Sequence, residues 1–132
     1  MIRRPPRSTL DRSSAASDVY KRQPYKITAS WMTKYTKGHY AMCHEHGWSD
    51  IAGVYYFQTD ANDGNIYFQT PNVAQTTCFW DSRPNIKVYP PEQGGIILFP
   101  GWLRHGTEKN TTDHTRISVS FNITFDRDWK SK

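Results

Sequence analysis

Three histidines and one arginine carry the spacing on which chemistry can be built. His44 and His46 are separated by a single residue in Cys43-His44-Glu45-His46-Gly47, and His105 closes the run Phe99-Pro100-Gly101-Trp102-Leu103-Arg104-His105. Side chains two apart on an extended segment point to the same side, so His44 and His46 can act as a pair. Two close imidazoles and one distant one are what a β-barrel uses to build an open metal site. A non-haem iron centre needs about three such ligands on one face of the metal, with the remaining positions free. Arg116 follows His105 and opens an alternating segment in which Ser118 shares its face. A guanidinium fork with a hydroxyl beside it is a natural clamp for a carboxylate.

The elements that must hold these residues read as strands. The chain has 132 residues, enough for one sheet-on-sheet core. Its 14% aromatic content, with 8 Gly and 8 Pro, favours strands joined by turns. Trp31 to Met42 suggests an extended lead-in, a turn at Gly38 and a strand running into His44. Ile51–Gln58 is β-branched and aromatic. Asp63-Gly64 is a hairpin signal that predicts Ile66–Gln69 pairing back on the preceding strand. Ile86–Tyr89 alternates, Glu92 to Gly95 turns, and Ile96–Phe99 is an apolar run suited to a strand covered on both faces. Arg116–Phe125 places Ile117, Val119, Phe121, Ile123 and Phe125 on one face. Its other face, Arg116, Ser118, Ser120, Asn122 and Thr124, meets water or lines a polar cavity. The expectation is an all-β fold of about six strands, a barrel or jelly roll, in a single domain over residues 24–132. Residues 71–85 form a long irregular loop suited to covering a site opening.

Charge and cysteine usage exclude several classes. The formal charge is +5. Residues 1–23 hold Arg3, Arg4, Arg7, Arg12, Lys21 and Arg22 against Asp11 and Asp18, which leaves a net of about +1 for the remainder, so no specific nucleic-acid partner is expected. This leader has no helical or strand period and almost nothing to bury, and is expected to be disordered. It resembles the translation of a sequencing adaptor, as found in proteins assembled from environmental (metagenomic) reads, which implies that the true N-terminal part has been lost. No run approaches a membrane span and no secretory signal is present, so neither a membrane partner nor export is expected and the location is read as cytoplasmic. Cys43 and Cys78 are expected to be free thiols, with Cys43 facing away from the metal. The glycosylation patterns at Asn110 and Asn122 are read as chance matches.

Residues 30–125 resemble the 2-oxoglutarate- and Fe(II)-dependent oxygenases of marine bacteria and phages, a double-stranded β-helix (jelly-roll, cupin-like) family. The resemblance rests on Gly38-His39-Tyr40, His44-Glu45-His46, Ser49 to Tyr56, Gly64 to Phe68, Leu98 to His105 and Arg116 to Ile123, of which the last two are the most specific. It implies His44 and His105 as iron ligands and Arg116, with Ser118 as auxiliary donor, as the anchor for 2-oxoglutarate. The wider superfamily has His-x-Asp or His-x-Glu where this chain has His44-Glu45-His46, so the third ligand is His46 or, if the turn folds back, Asp50. The implied activity is that of a dioxygenase, a hydroxylase of an unidentified small-molecule or protein substrate that consumes O2 and turns 2-oxoglutarate into succinate. Tyr55, Tyr67 and Asn122 are candidates for hydrogen bonds inside the barrel, and Trp48 and Trp102 for walls of the opening. Two other readings compete: a cupin-type metalloenzyme of different chemistry, which has no need of Arg116, and a β-sandwich carbohydrate-binding module whose histidines are incidental.

Overall fold

The fold was obtained as a computed structural model, which describes residues 24–72 and 85–127. Eight strands run in chain order: β1 (Tyr25–Tyr35), β2 (Ala41–His44), β3 (Ile51–Gln58), β4 (Ile66–Gln69), β5 (Ile86–Tyr89), β6 (Ile96–Pro100), β7 (His105–Thr107) and β8 (Arg116–Phe125). They form two four-stranded sheets, ordered β1-β8-β3-β6 and β2-β7-β4-β5, in the manner of a jelly roll. Ile27–Thr124 is one compact unit. The other unit comprises the two chain ends and is described at residues 24–26 and 125–127, where the Asp126 amide donates to the Pro24 carbonyl at 2.6 Å. The leader and most of the 71–85 loop lie outside the described residues. No helix among the described residues is long and apolar enough to cross a membrane.

The core follows from strand alternation. In β3, Ala52, Val54 and Tyr56 turn inward. They meet Phe99 of β6 and, from the facing sheet, Ile66 and Phe68 of β4. Phe68 and Phe99 meet edge to face with ring centroids 4.9 Å apart, bridging the two sheets.

Three expectations change. β4 does not pair back on β3: it pairs with β5 and β7, while β3 pairs with β6 and β8. The segment between β3 and β4 is therefore a crossing between sheets. Its backbone is turned inward by a buried Asp63 and by Gly64 at φ +103°, a conformation that favours glycine. β6 is covered on one face only, since Ile96 and Leu98 are 60% and 57% exposed while Phe99 is buried. An apolar run hides its own phase, so periodicity could not tell a half-covered strand from a fully covered one. The strand before the histidine pair ends at His44, because the chain turns at His46, where the Ser49 amide donates to the His46 carbonyl at 2.8 Å.

Candidate active site

Pairing across β2 and β7 puts His44 directly opposite His105. His46 lies beyond the strand but is brought back by the backbone: its amide donates to the Gly101 carbonyl (2.7 Å), and the Gly101 amide to the Asp50 carbonyl (3.1 Å). The turn after β2 and the turn after β6 are thus stitched together. The three imidazoles gather as a result, with ring centroids 4.4 Å apart for His44 and His105, 5.0 Å for His44 and His46, and 5.2 Å for His46 and His105. Each offers a ring nitrogen within 4.8 Å of the others. Asp50 is not in this cluster, and Glu45, in the turn after β2, is exposed.

Hydrogen bonding selects the nitrogens. Nδ1 of His44 lies 2.7 Å from the Met42 carbonyl, and Nδ1 of His105 lies 2.8 Å from the Leu103 carbonyl. A carbonyl only accepts, so both Nδ1 atoms carry hydrogen, which leaves Nε2 as the nitrogen with which either ring can bind a metal. His46 Nδ1 is buried with no partner. Burial holds the His105 pKa down at about 4, against the opposing bond to Leu103, with His44 and His46 adding to the lowering. His46 is lowered by burial and then by His44. Three imidazoles sharing a few ångströms of space are a donor set that a divalent first-row metal takes.

The polar face of β8 lines the same cavity, which resolves the choice left by its alternation in favour of an interior. The cavity measures about 90 Å³ and is lined by the three histidines together with Tyr35, Tyr56, Arg116, Ser118, Ser120 and Asn122, among others. Arg116 is 2% exposed and Ser118 4%. Asn122 pairs with Ala52, and Ala52 with Phe99, whose ring stands 4.5 Å from that of His105. Arg116 starts the strand six residues earlier, about 20 Å along the backbone at ~3.3 Å per residue. The guanidinium lies 4.2 Å over the Tyr35 ring and donates from Nη1 to the Gly64 carbonyl at 2.5 Å. Its buried Nε has no partner. Tyr56 is pushed up to about 12 by burial, against Arg116, and stays protonated beside the cation.

Other expectations sort by face. Tyr55 and Tyr67 alternate with the inward Val54 and Tyr56 and the inward Ile66 and Phe68, so neither points into the cavity, whereas Asn122 does. Cys43 faces away from the histidines, with Sγ 3.8 Å from Gln69 Oε1, and Cys78 lies outside the described residues. Trp48 is 75% exposed and its ring sits 5.8 Å from that of His46, but it does not line the cavity. Trp102 is exposed as well. Asn110 and Asn122 are buried, which removes both glycosylation patterns. Trp31, Tyr35 and Tyr56 were not singled out in the sequence. Tyr56 lies in a strand apolar on both faces, and the phase of Tyr35 and Trp31 becomes readable only once β1 is known to be a regular strand.

The family described as "Putative 2OG-Fe(II) oxygenase" matches residues 29–122. Fold and site thus define a jelly-roll protein with three clustered histidines that could hold a metal, and the chain belongs to the 2OG-Fe(II) oxygenase family. No curated protein matches it significantly. Among solved structures it is similar to an oxidoreductase of the 2OG-Fe(II) oxygenase family from Burkholderia pseudomallei, with 15% identity, 88% of this chain and 51% of that one covered, and a TM-score of 0.62. It is also similar to SnoN, a non-haem α-ketoglutarate-dependent epimerase of nogalamycin biosynthesis, with 12% identity, 88% and 53% coverage and a TM-score of 0.62. A third is HygX from Streptomyces hygroscopicus with nickel, 2-oxoglutarate and hygromycin B bound, at 16% identity, 85% and 61% coverage and a TM-score of 0.59. The chain spans about half the length of the first two.

Proposed function

We propose that the chain carries the catalytic domain of a 2-oxoglutarate- and Fe(II)-dependent dioxygenase that hydroxylates an unidentified substrate. In this reading His44, His46 and His105 hold the iron, Arg116 binds the distal carboxylate of 2-oxoglutarate, and Ser118 adds a hydroxyl donor on the same face. The observation that carries it is the buried guanidinium with a free Nε in the cavity that the three histidines also line. A buried cation with an unused donor calls for an anion, and a planar fork matches a carboxylate. The donors fit the metal as well, since Nε2 of His44 and His105 is freed by the bond that each Nδ1 makes. When bound, iron and 2-oxoglutarate supply the oxidising chemistry, in which O2 and 2-oxoglutarate give succinate and CO2 as a substrate C–H becomes C–OH.

The residues of the chain orient and shield. Phe68 and Phe99 pack against His105, with ring centroids at 6.1 and 4.5 Å, and keep water from its buried side. Trp31 stacks on His46 with centroids 5.9 Å apart and fixes that ring from the opposite side. A cupin of other chemistry has no use for a buried guanidinium with an unpaired Nε, and a carbohydrate-binding module has none for three converging imidazoles.

Arg116→Ala tests the assignment. Two charge-assisted hydrogen bonds at ~1.5 kcal/mol each correspond to about a 10²-fold loss of succinate formation at limiting 2-oxoglutarate, with iron content unchanged. Unaltered succinate formation removes Arg116 from the role.

A further inference from the structure

The carbonyl that receives Arg116 belongs to a segment with an uncommon anchor. Asp63, the residue before Gly64, is 0% exposed. Its carboxylate accepts from Thr59 Oγ1 (2.7 Å), from the Asp60 amide (3.3 Å) and from His114 Nδ1 (3.0 Å). A carboxylate only accepts, so His114 carries its hydrogen on Nδ1. His114 stands two residues ahead of Arg116, just before β8. The dipeptide Asp63-Gly64 therefore grips the tripeptide His114-Thr115-Arg116 at two points, side chain to side chain at one end and carbonyl to guanidinium at the other.

Neighbouring contacts close the frame. Asn110, also 0% exposed, donates from Nδ2 to the His114 carbonyl (2.7 Å) and the Tyr35 carbonyl (3.2 Å), which fixes both the His114 backbone and the residue whose ring lies under Arg116. Gln58 Nε2 donates to the Thr115 carbonyl at 2.7 Å. Simple closure of the 59–65 segment does not require a buried carboxylate: Asp60 and Asn62 already bond the local backbone at its exposed side. A fully buried carboxylate is costly unless its partners are in place, so its position here is tightly fixed. What it fixes, beyond the segment, is the loop that delivers Arg116.

We infer that Asp63 and His114 are positioning residues for Arg116, which set how far the guanidinium reaches into the cavity and hence the affinity of the site for a dicarboxylate. This rests on the reading of Arg116 as the carboxylate anchor. Neither side chain lines the cavity, so both act through Arg116. Asp60, Asp63 and His114 also form a metal-sized cluster, but the oxygens of Asp63 are engaged by the donors above.

The test is an anaerobic titration of 2-oxoglutarate into the iron-loaded full chain, read by the metal-to-ligand charge-transfer band, for Asp63→Asn, His114→Ala and His114→Asn, alone and combined with Arg116→Ala. Asp63→Asn and His114→Ala are expected to weaken 2-oxoglutarate binding about tenfold, the lower end of what supporting residues around a site contribute, with iron affinity unchanged. His114→Asn, whose amide N–H stands where Nδ1–H stood, is expected to recover most of that loss. In the Arg116→Ala background none of the three should add a further effect, because the group they place is gone. Unchanged 2-oxoglutarate affinity in Asp63→Asn and His114→Ala overturns the inference. So does an equal loss of iron affinity, or a loss that persists without Arg116. Arg116→Ala binding 2-oxoglutarate like wild type sinks the anchor reading itself, a distinct outcome. Should Asp63→Asn fail to fold, the His114→Ala and His114→Asn pair decides alone, since His114 is only half-buried.

Discussion

His44 and His105 each bond a backbone carbonyl two residues earlier through Nδ1, so each is oriented by its own strand before any metal arrives. His46 has no such partner and is held instead between Trp31 and the other imidazoles. Its place in the proposed ligand set therefore depends on packing, and it is the position to probe first. His46→Ala should lower iron affinity by more than the ~10-fold that an outer-shell loss costs, whereas His46→Asp, which restores a donor with a negative charge, should retain iron. Equal iron binding by His46→Ala and wild type, measured by metal analysis after desalting, removes His46 from the set. Acid stability follows from the same burial. An unfolded histidine titrates near 6.5, while His105 in the fold is held at about 4 and His46 is also lowered. Between those values the unfolded chain binds protons that the folded chain refuses, so the metal-free protein has its full stability above pH ~6.5 and loses it as pH falls toward 4. Denaturant midpoints across that range should decline in wild type and decline less in His105→Gln. A flat wild-type profile contradicts the placement of His105.

At the scale of elements, the site depends on two turns pressed together. A Cβ on Gly101 would lie 2.7 Å from the His46 carbonyl oxygen and even closer to that of Ser49, both backbone atoms with little freedom to retreat. Gly101→Ala should cost roughly 1–3 kcal/mol and loosen iron as well as lower the thermal midpoint, because it pries the His46 turn from the turn leading to His105. A variant with native iron affinity and native melting temperature would show that the turns are not coupled. This coupling explains what was legible in the sequence. β3, β5 and β8 have the bounds that their β-branched and aromatic composition predicted, and the alternation of β8 showed a wholly polar second face while leaving open whether it met water or a cavity. The direction taken by Asp63-Gly64 was not legible, since the same dipeptide serves a hairpin or a crossing, and the difference lies in the long-range partners His114 and Arg116. β7, three residues long and glycine-centred, carries too little pattern to be read as a strand at all. The histidine cluster was found for a reason only half correct: His46 reaches it through a turn, not through the alternation of a strand.

At the scale of the molecule, the two sheets bring together residues from β1, β2, β3, β4, β6, β7 and β8 around one cavity, and no single segment contains the site. The three-imidazole cluster and the unpaired Nε of Arg116 both belong to residues that line this cavity. The most direct measurement is an anaerobic titration of Fe(II) and then 2-oxoglutarate into the full chain, following the metal-to-ligand charge-transfer band. Wild type is expected to take up one iron per chain and to develop a band that saturates at one 2-oxoglutarate per iron, and His105→Ala to lose that band. A wild-type chain that takes up no iron, or that takes up iron and develops no band with 2-oxoglutarate, contradicts this expectation.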